Sequence, residues 1–141
     1  MEVHQVTSKE QLDQAIEIRM KVFVNEQQVP EELEKDEHDQ HANHVLLYNQ
    51  SHEPIGTGRC RIMNQYGKIE RVCVLKEYRK GGNGKRIITK LEEILKEKGI
   101  QKFKLHAQTQ AKAFYEKLGY KITSDIFYDA NIPHIEMTKE V

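Results

Sequence analysis

Tryptophan is absent from this 141-residue chain, cysteine occurs twice and proline three times. Neither sign of charge is in excess, since 22 Lys and Arg stand against 22 Asp and Glu. A protein that captures nucleic acid by bulk electrostatics needs a basic surplus for its phosphate contacts, and the balance here argues against that class. The apolar runs are only a few residues long, far short of the roughly 20 that cross a bilayer, and Met1–Glu10 has no apolar signal-peptide core. The expectation is a soluble, cytoplasmic protein with no membrane and no nucleic-acid partner. Cys60 and Cys73 each lie in a strand-like apolar run without CxxC spacing, which reads as two packed thiols rather than a disulfide framework. No repeat, low-complexity tract or Pro/Ser-rich linker divides the chain, so a single domain over residues 1–141 is expected.

What is present is a clear change of periodicity along the chain. After a short strand at Val3–Val6, Ser8 with Gln11 three residues on predicts a helix N-terminus, and Leu12, Ala15, Ile16, Arg19, Val22 and Phe23 follow helical spacing. Asn25–Gln40 carries Glu31, Glu32, Glu34, Asp36, Glu37 and Asp39 among few apolar residues, and is expected to be an exposed acidic loop or short helix outside the core. Strand periodicity then takes over at His44–Tyr48, Ile55–Met63 and Lys68–Leu75, an antiparallel meander. Gly82–Lys98 is the strongest helix, with Ile87, Ile88, Leu91, Ile94 and Leu95 on one stripe and Gly99 as its stop. A strand at Ile100–Ala107, a helix at Gln110–Leu118 ended by Gly119, and strands at Tyr120–Ile122, Ile126–Tyr128 and His134–Thr138 complete a mixed α/β order.

The most informative segment runs from Arg71 to Lys85, a strand followed by a turn with three glycines among basic residues and then the start of the best helix. Backbone N–H groups at a helix N-terminus, unobstructed by Cβ atoms, form a cradle for phosphate. Two other phosphate motifs fail: a Walker loop needs glycine at Arg79 and Ser or Thr at Arg86, and a dinucleotide fingerprint from Gly82 needs a third glycine at Ile87. Downstream stands a second segment, Gln108-Thr-Gln-Ala111-Lys-Ala-Phe-Tyr115-Glu-Lys-Leu-Gly119-Tyr120.

Together these segments resemble the GCN5-related N-acetyltransferase (GNAT) superfamily. Arg79-Lys-Gly-Gly82-Asn-Gly84 fits its phosphate loop Arg/Gln-x-x-Gly-x-Gly/Ala, and the second segment fits Asn-x-x-Ala-x-x-x-Tyr-x-x-x-Gly-Phe, with Gln108 and Tyr120 as departures. Arg19-Met-Lys-Val-Phe-Val-Asn-Glu26-Gln27, with Asp36, Asp39 and His44, further resembles the ElaA-like bacterial branch. The resemblance implies a single-domain GNAT-like fold, with a mixed, centrally splayed β-sheet and helices on both faces. It implies acetyl-CoA or a related acyl-CoA as co-substrate, its pyrophosphate on the backbone around Arg79, Lys80, Gly81, Gly82, Asn83, Gly84 and Lys85. It also implies that Val72, Cys73 and Val74 carry the pantetheine arm by strand-like pairing, with a backbone N–H near Val74 polarising the thioester carbonyl. Gln108 stands at the family's Asn position.

Direct attack by a neutral amine requires a group that deprotonates an ammonium ion and another that protonates the departing thiolate. Tyr115 matches the family's general acid, although Phe114, Tyr115 and Leu118 also read as a packed helical face. Glu70, beside the presumed cleft, and Glu26, at the end of the first helix, are both placed to accept a proton, and the sequence does not choose between them. Cys73 has no local His or Asp partner to activate it, which argues against an acyl-cysteine. His38, His41 and His44 lack HExxH or CxxC spacing, so no metal is expected. If the acidic run borders the acceptor cleft it favours a cationic amine. The acceptor, the acyl length and the oligomeric state stay open, a homodimer being compatible with the resemblance. The competing readings are a CoA-binding sensor or interaction module without catalysis, and a metal-dependent hydrolase built on the histidine-rich stretch.

Overall fold

The computed structural model describes residues 1–141. The chain begins with β1 (Glu2–Gln5) and α1 (Lys9–Arg19), which continues through wider π-helical turns over Met20–Glu26. A short α2 (Glu31–Glu34) precedes the meander β2 (Asn43–Tyr48), β3 (Pro54–Met63) and β4 (Tyr66–Val74). Then come α3 (Asn83–Glu97), β5 (Lys102–Gln108), α4 (Lys112–Lys117), β6 (Lys121–Ile122), β7 (Phe127–Asp129) and β8 (Ile132–Glu140). The sheet order is β1-β2-β3-β4-β5-β8-β6, with β7 also on β8. Every pair is antiparallel except β4 with β5. This is the mixed α/β architecture expected from the motifs.

Local chemistry accounts for the element boundaries. The Ser8 hydroxyl accepts a hydrogen bond from the Gln11 amide at 3.2 Å, while the Gln11 side chain reaches back to the Thr7 amide at 2.7 Å, a reciprocal cap displaced by one residue from the usual box. At the far end of α3, Gly99 adopts φ +81°, and the amide of Ile100 donates to the Leu95 carbonyl at 3.0 Å, closing the helix end. The segment predicted as one helix over Gln110–Leu118 opens instead with a tight 3₁₀ turn at Thr109–Ala111 before α4.

The two faces of the sheet are packed separately. Ile87, Ile88, Leu91, Ile94 and Leu95 of α3 bury against Val45, Leu47, Ile55, Ile69, Phe103 and Leu105. A Cβ at Gly56 or Gly58 would lie 2.9 or 2.8 Å from Ile87, so these strand glycines let the helix stripe seat directly on the backbone. On the opposite face Ala15, Ile18 and Val22 cover Leu46, Tyr48 and Cys73. Tyr120, where the resembling family has Phe, donates its hydroxyl to Glu92 at 2.7 Å, and Lys139 approaches the same carboxylate at 3.1 Å, joining α3 to β8.

The acidic segment corrects the sequence reading. Glu34 and Asp39 are buried, not solvated. Arg19, 1% exposed, donates to Glu34 Oε1 and Asp39 Oδ1 at 2.7 Å each and to the Glu34 carbonyl at 2.7 Å. Arg59, equally buried, bonds Asp36 through both terminal nitrogens at 2.8 Å, Asp39 at 2.7 Å and Glu70 at 2.9 Å. Arg61 completes the set with a two-pronged contact on Glu70 at 2.8 and 2.9 Å. A helical stripe containing Arg19 and an alternating strand containing Arg59 both point inward, so the loop carboxylates fold over them to neutralise the buried charge.

Truncating one partner of a buried ion pair leaves an uncompensated charge, so Arg59→Met is expected to lose about 3–5 kcal/mol in urea unfolding. The arginines and Lys68 hold the Glu70 carboxyl down at about 2, against its ordinary 4.5, despite burial that pushes it up. A depressed carboxylate stabilises the fold above its unfolded value and loses that contribution as pH falls towards the folded one. The stability difference between the wild type and Glu70→Gln is therefore expected to shrink as pH drops from about 5 to about 3; a constant difference would contradict the pairing.

Candidate functional site

The site begins where two strands part. β4 and β5 pair only over Gly67–Ile69 with Phe103–Leu105. Beyond that, β4 takes up an extra residue: Thr57 faces Cys73 and Arg59 faces Glu70, so three positions of β4 span two of β3. The bulge is centred on Arg71, whose φ of +55° is a left-handed conformation. β4 turns away from β5, and Val72–Val74 keep no ladder on that side. A cleft of about 790 Å³ fills the opening, lined among others by Val72, Cys73 and Val74, by Gly82–Lys85, and by Gln108 and Tyr115.

At one end of the cleft lies the glycine loop. Gly81 and Gly82 both have positive φ, +90° and +82°; a Cβ at Gly81 would meet nothing within 4 Å, and one at Gly82 only the Arg86 Nη1 at 3.8 Å. The first α3 hydrogen bond runs from the Arg86 amide to the Gly82 carbonyl at 3.1 Å. The amides of Gly82, Asn83, Gly84 and Lys85 therefore precede the helical ladder, and no side chain caps them. Side chains brace the loop elsewhere: Asn83 donates to the Tyr78 carbonyl at 2.7 Å, and Arg86 donates to the Gly81 carbonyl and to Asn83 Oδ1, both at 2.8 Å. Lys80 does not line the cleft, whereas Gly81 borders an adjoining recess with Lys85, Arg86 and Lys90. Gly84 packs so closely on α4 that a Cβ would meet the Phe114 ring at 3.1 Å.

Arg79 points back into the protein. Its Nε donates to the Val74 carbonyl at 2.8 Å and its terminal nitrogens grip Glu26 at 2.6 Å each, tying the end of the π-helical turns to the loop. This pairing lowers the Glu26 pKa, Arg79 hydrogen bonding being the chief cause, and Glu26 lies outside the cleft lining. Glu70 does line the cleft, but Arg59, Arg61 and Lys68 surround its carboxylate. Neither carboxylate is free to take a proton at neutral pH, which weighs against both proposed bases.

Tyr115 is half-buried between Phe114 and Tyr120, edge to face with each at 4.9 and 6.0 Å. Burial pushes its hydroxyl up to about 12, and the nearby Cys73 adds to the effect. A phenol with that value stays protonated and retains its role as a donor. Gln108 exchanges amide contacts with Gln27, at 2.8 Å in the better direction, and accepts from Gln110 at 2.6 Å.

Two imidazoles of the cleft, His106 and His134, escape the motif reading, and Gln27, part of the Arg19–Gln27 segment, carries no role in it. His106 carries a readable signal, since strand alternation with buried Phe103, Leu105 and Ala107 puts Lys104, His106 and Gln108 on the other face. His38, His41 and His44 do not converge; His44 is turned inward, its Nε2 2.8 Å from the Asp39 carbonyl. No three His, Cys, Asp or Glu side chains stand close enough together to hold a metal ion.

A family model described as an acetyltransferase (GNAT) domain matches residues 3–141. YjcF of Bacillus subtilis (strain 168), an uncharacterized N-acetyltransferase by name, is 45% identical over 134 residues, covering 94% of this chain and 95% of that one. The crystal structure of Escherichia coli ElaA has a TM-score of 0.87 at 25% identity, over 99% of this chain and 100% of that one. The PaiA N-acetyltransferase of Thermoplasma acidophilum, solved in complex with coenzyme A, shares the fold with a TM-score of 0.73 at 18% identity across 100% of both chains.

Both thiols are free and buried, and burial pushes the Cys60 pKa up to about 12 and that of Cys73 higher still. A chromogenic disulfide at pH 8 is expected to modify neither in the native protein and both in denaturant; rapid native labelling of Cys73 would reopen the acyl-cysteine route.

Proposed function

The chain belongs to the GNAT acetyltransferases, and on that basis we propose that it transfers an acetyl group from acetyl-CoA to a primary amine by direct attack with both substrates bound. One observation carries this reading: four unpaired amides at the positive end of α3 adjoin, in a single cleft, the edge of Val72–Val74, which has no partner strand and only its Val74 carbonyl engaged, by Arg79. Diphosphate oxygens match the first feature, through hydrogen bonding and the helix dipole. The peptide-like amides of pantetheine match the second, as a strand added to an edge. Gly81 and Gly82 leave the space such a ligand occupies, and Lys85, Arg86 and Lys90 line the recess on its phosphate side. The coenzyme supplies an activated acetyl thioester.

The residues divide the remaining work. A backbone N–H near Val74 stabilises the negative charge that develops on the carbonyl oxygen. Tyr115 protonates the leaving sulfur; its retained proton and its place in the cleft support that role. Gln27 and Gln108 join the first helical segment to the end of β5 and fix one edge of the acceptor side. The carboxylates Glu34, Asp36 and Asp39 are engaged by arginines, and the exposed Glu31, Glu32 and Glu37 lie outside the cleft lining, so the acidic segment offers the cleft little free charge for a cationic acceptor. Phe23, Val29 and Leu33 instead give that side of the cleft an apolar wall, suited to an amine with an apolar body.

Isothermal titration is expected to show acetyl-CoA binding to the wild type and none to Gly82→Glu, which places a carboxylate and a strained left-handed residue at the cradle. No wild-type binding at millimolar ligand would defeat the donor assignment. Tyr115→Phe is expected to lower kcat by about 100-fold with little change in acetyl-CoA affinity; an unchanged kcat would remove Tyr115 from the acid role. Binding without thiol release across a panel of amines would favour a non-catalytic CoA sensor.

A further inference from the structure

With both carboxylates held by arginines, the proposed transfer lacks a group to deprotonate the incoming ammonium ion. We propose that His106 is that proton acceptor, positioned by Glu136. The inference rests on the acetyl-transfer reading and names the residue that reading leaves open.

Topology puts His106 at the fork. Ile69 and Leu105 form the last pair of β4 with β5, so His106 is the first β5 residue past the point of divergence. Leu105 and Ala107 are buried on the α3 side, which sends the His106 ring to the opposite face. Phe23 packs on that face with α1, and it lines the same cleft together with Val29 and Leu33. The ring stands edge to face on Phe127 at 5.0 Å, and His106 Nε2 lies 3.5 Å from a Glu136 carboxylate oxygen. Glu136 is itself held by the Thr123 hydroxyl at 2.9 Å. A carboxylate beside one ring nitrogen sets the orientation of the imidazole and leaves the other nitrogen for a substrate.

The charged and titratable groups around the ring come from three strands besides its own. Lys104 is on β5, Lys68 and Glu70 on β4, Asp129 ends β7, and Glu136 and His134 are on β8. Burial is the largest influence and lowers the His106 pKa, Lys68 and His134 act in the same direction, and Glu136 opposes them. The lowered value favours the neutral ring, the form able to accept a proton. His134, the other imidazole in the cleft, has Nδ1 against the Ile132 carbonyl at 2.7 Å and stacks on Phe127 with ring centroids 6.0 Å apart.

A primary ammonium ion gives one proton to His106, which passes it to solvent. The freed nitrogen lone pair forms the C–N bond to the thioester carbonyl carbon as the C–S bond breaks. The sulfur takes a proton from Tyr115, and the proton lost from nitrogen on amide formation restores the phenol. The products are an amide, a free thiol and one released proton.

The test uses the full chain with acetyl-CoA and, as probe acceptors, benzylamine, putrescine and Nα-acetyl-lysine amide. His106→Gln is expected to lower kcat/KM by about 100-fold while calorimetry finds unchanged coenzyme A affinity; near-wild-type turnover would overturn the proposal. The wild-type acidic limb of kcat/KM is expected to follow the titration of the His106 ring, read by NMR of histidine-labelled protein loaded with coenzyme A. Removing the Glu136 charge in Glu136→Gln is expected to move both the limb and the ring titration to lower pH, a shift that a structural role would not produce. If the wild type binds acetyl-CoA but releases no thiol with any probe, the transfer reading fails for those amines and the ring titration still decides His106. A ring titrating below the ordinary histidine value and shifting down in Glu136→Gln supports the proposal; one titrating at or above that value, or unmoved, overturns it.

Discussion

Interstrand hydrogen bonding that stops after Ile69 and Leu105 is the constraint on which the site depends. Two parallel strands in register would satisfy each other and close the sheet. The extra β4 residue at Arg71 prevents this by turning the strand, and leaves a row of backbone donors and acceptors facing a cavity. The same departure separates the residues after Ile69 from those after Leu105, so groups on the two strands stand on opposite banks of one cleft. The helix between these strands, α3, begins at that cleft, which brings its uncapped end and the open edge together.

The bulge is held by charge. Arg71 reaches the carbonyls of Leu33 and Glu34 and the Asp36 carboxylate at 3.3–3.4 Å, while Arg59 and Arg19 fix the same segment from beneath. Buried arginines on a helix and a strand are costly unless fully paired, and the acidic stretch supplies the pairs. What composition suggests is a solvated face is a clasp across the sheet. The carboxylates in it are thereby committed, which is why proximity of Glu70 to the cleft does not make it a proton acceptor.

Much of the architecture was legible in the sequence. Periodicity located the strands of the meander and α3 to within a residue or two, because their apolar stripes face deep, separate cores. The glycine loop was legible because its conformation demands residues without Cβ atoms. Three things were not. The inward turn of Glu34 and Asp39 depends on arginines 15 or more residues away, a long-range pairing that local composition does not encode. The β4 bulge has no glycine to announce it, since Arg71 itself adopts the left-handed conformation. His106 sits in a strand whose alternation was readable, but its neighbours Phe127 and Glu136 come from the far end of the chain.

The contact of Gly84 with Phe114 links two parts of the cleft that would otherwise be independent. Gly84 sits in the turn whose amides open on the cleft, and Phe114 immediately precedes Tyr115 on α4. A displacement of a few tenths of an ångström at the turn is therefore transmitted through one aromatic ring to the helix bearing Tyr115, so that the shape of the glycine turn and the placement of that phenol are mechanically a single adjustment. Any side chain larger than hydrogen at position 84 would have to displace that ring.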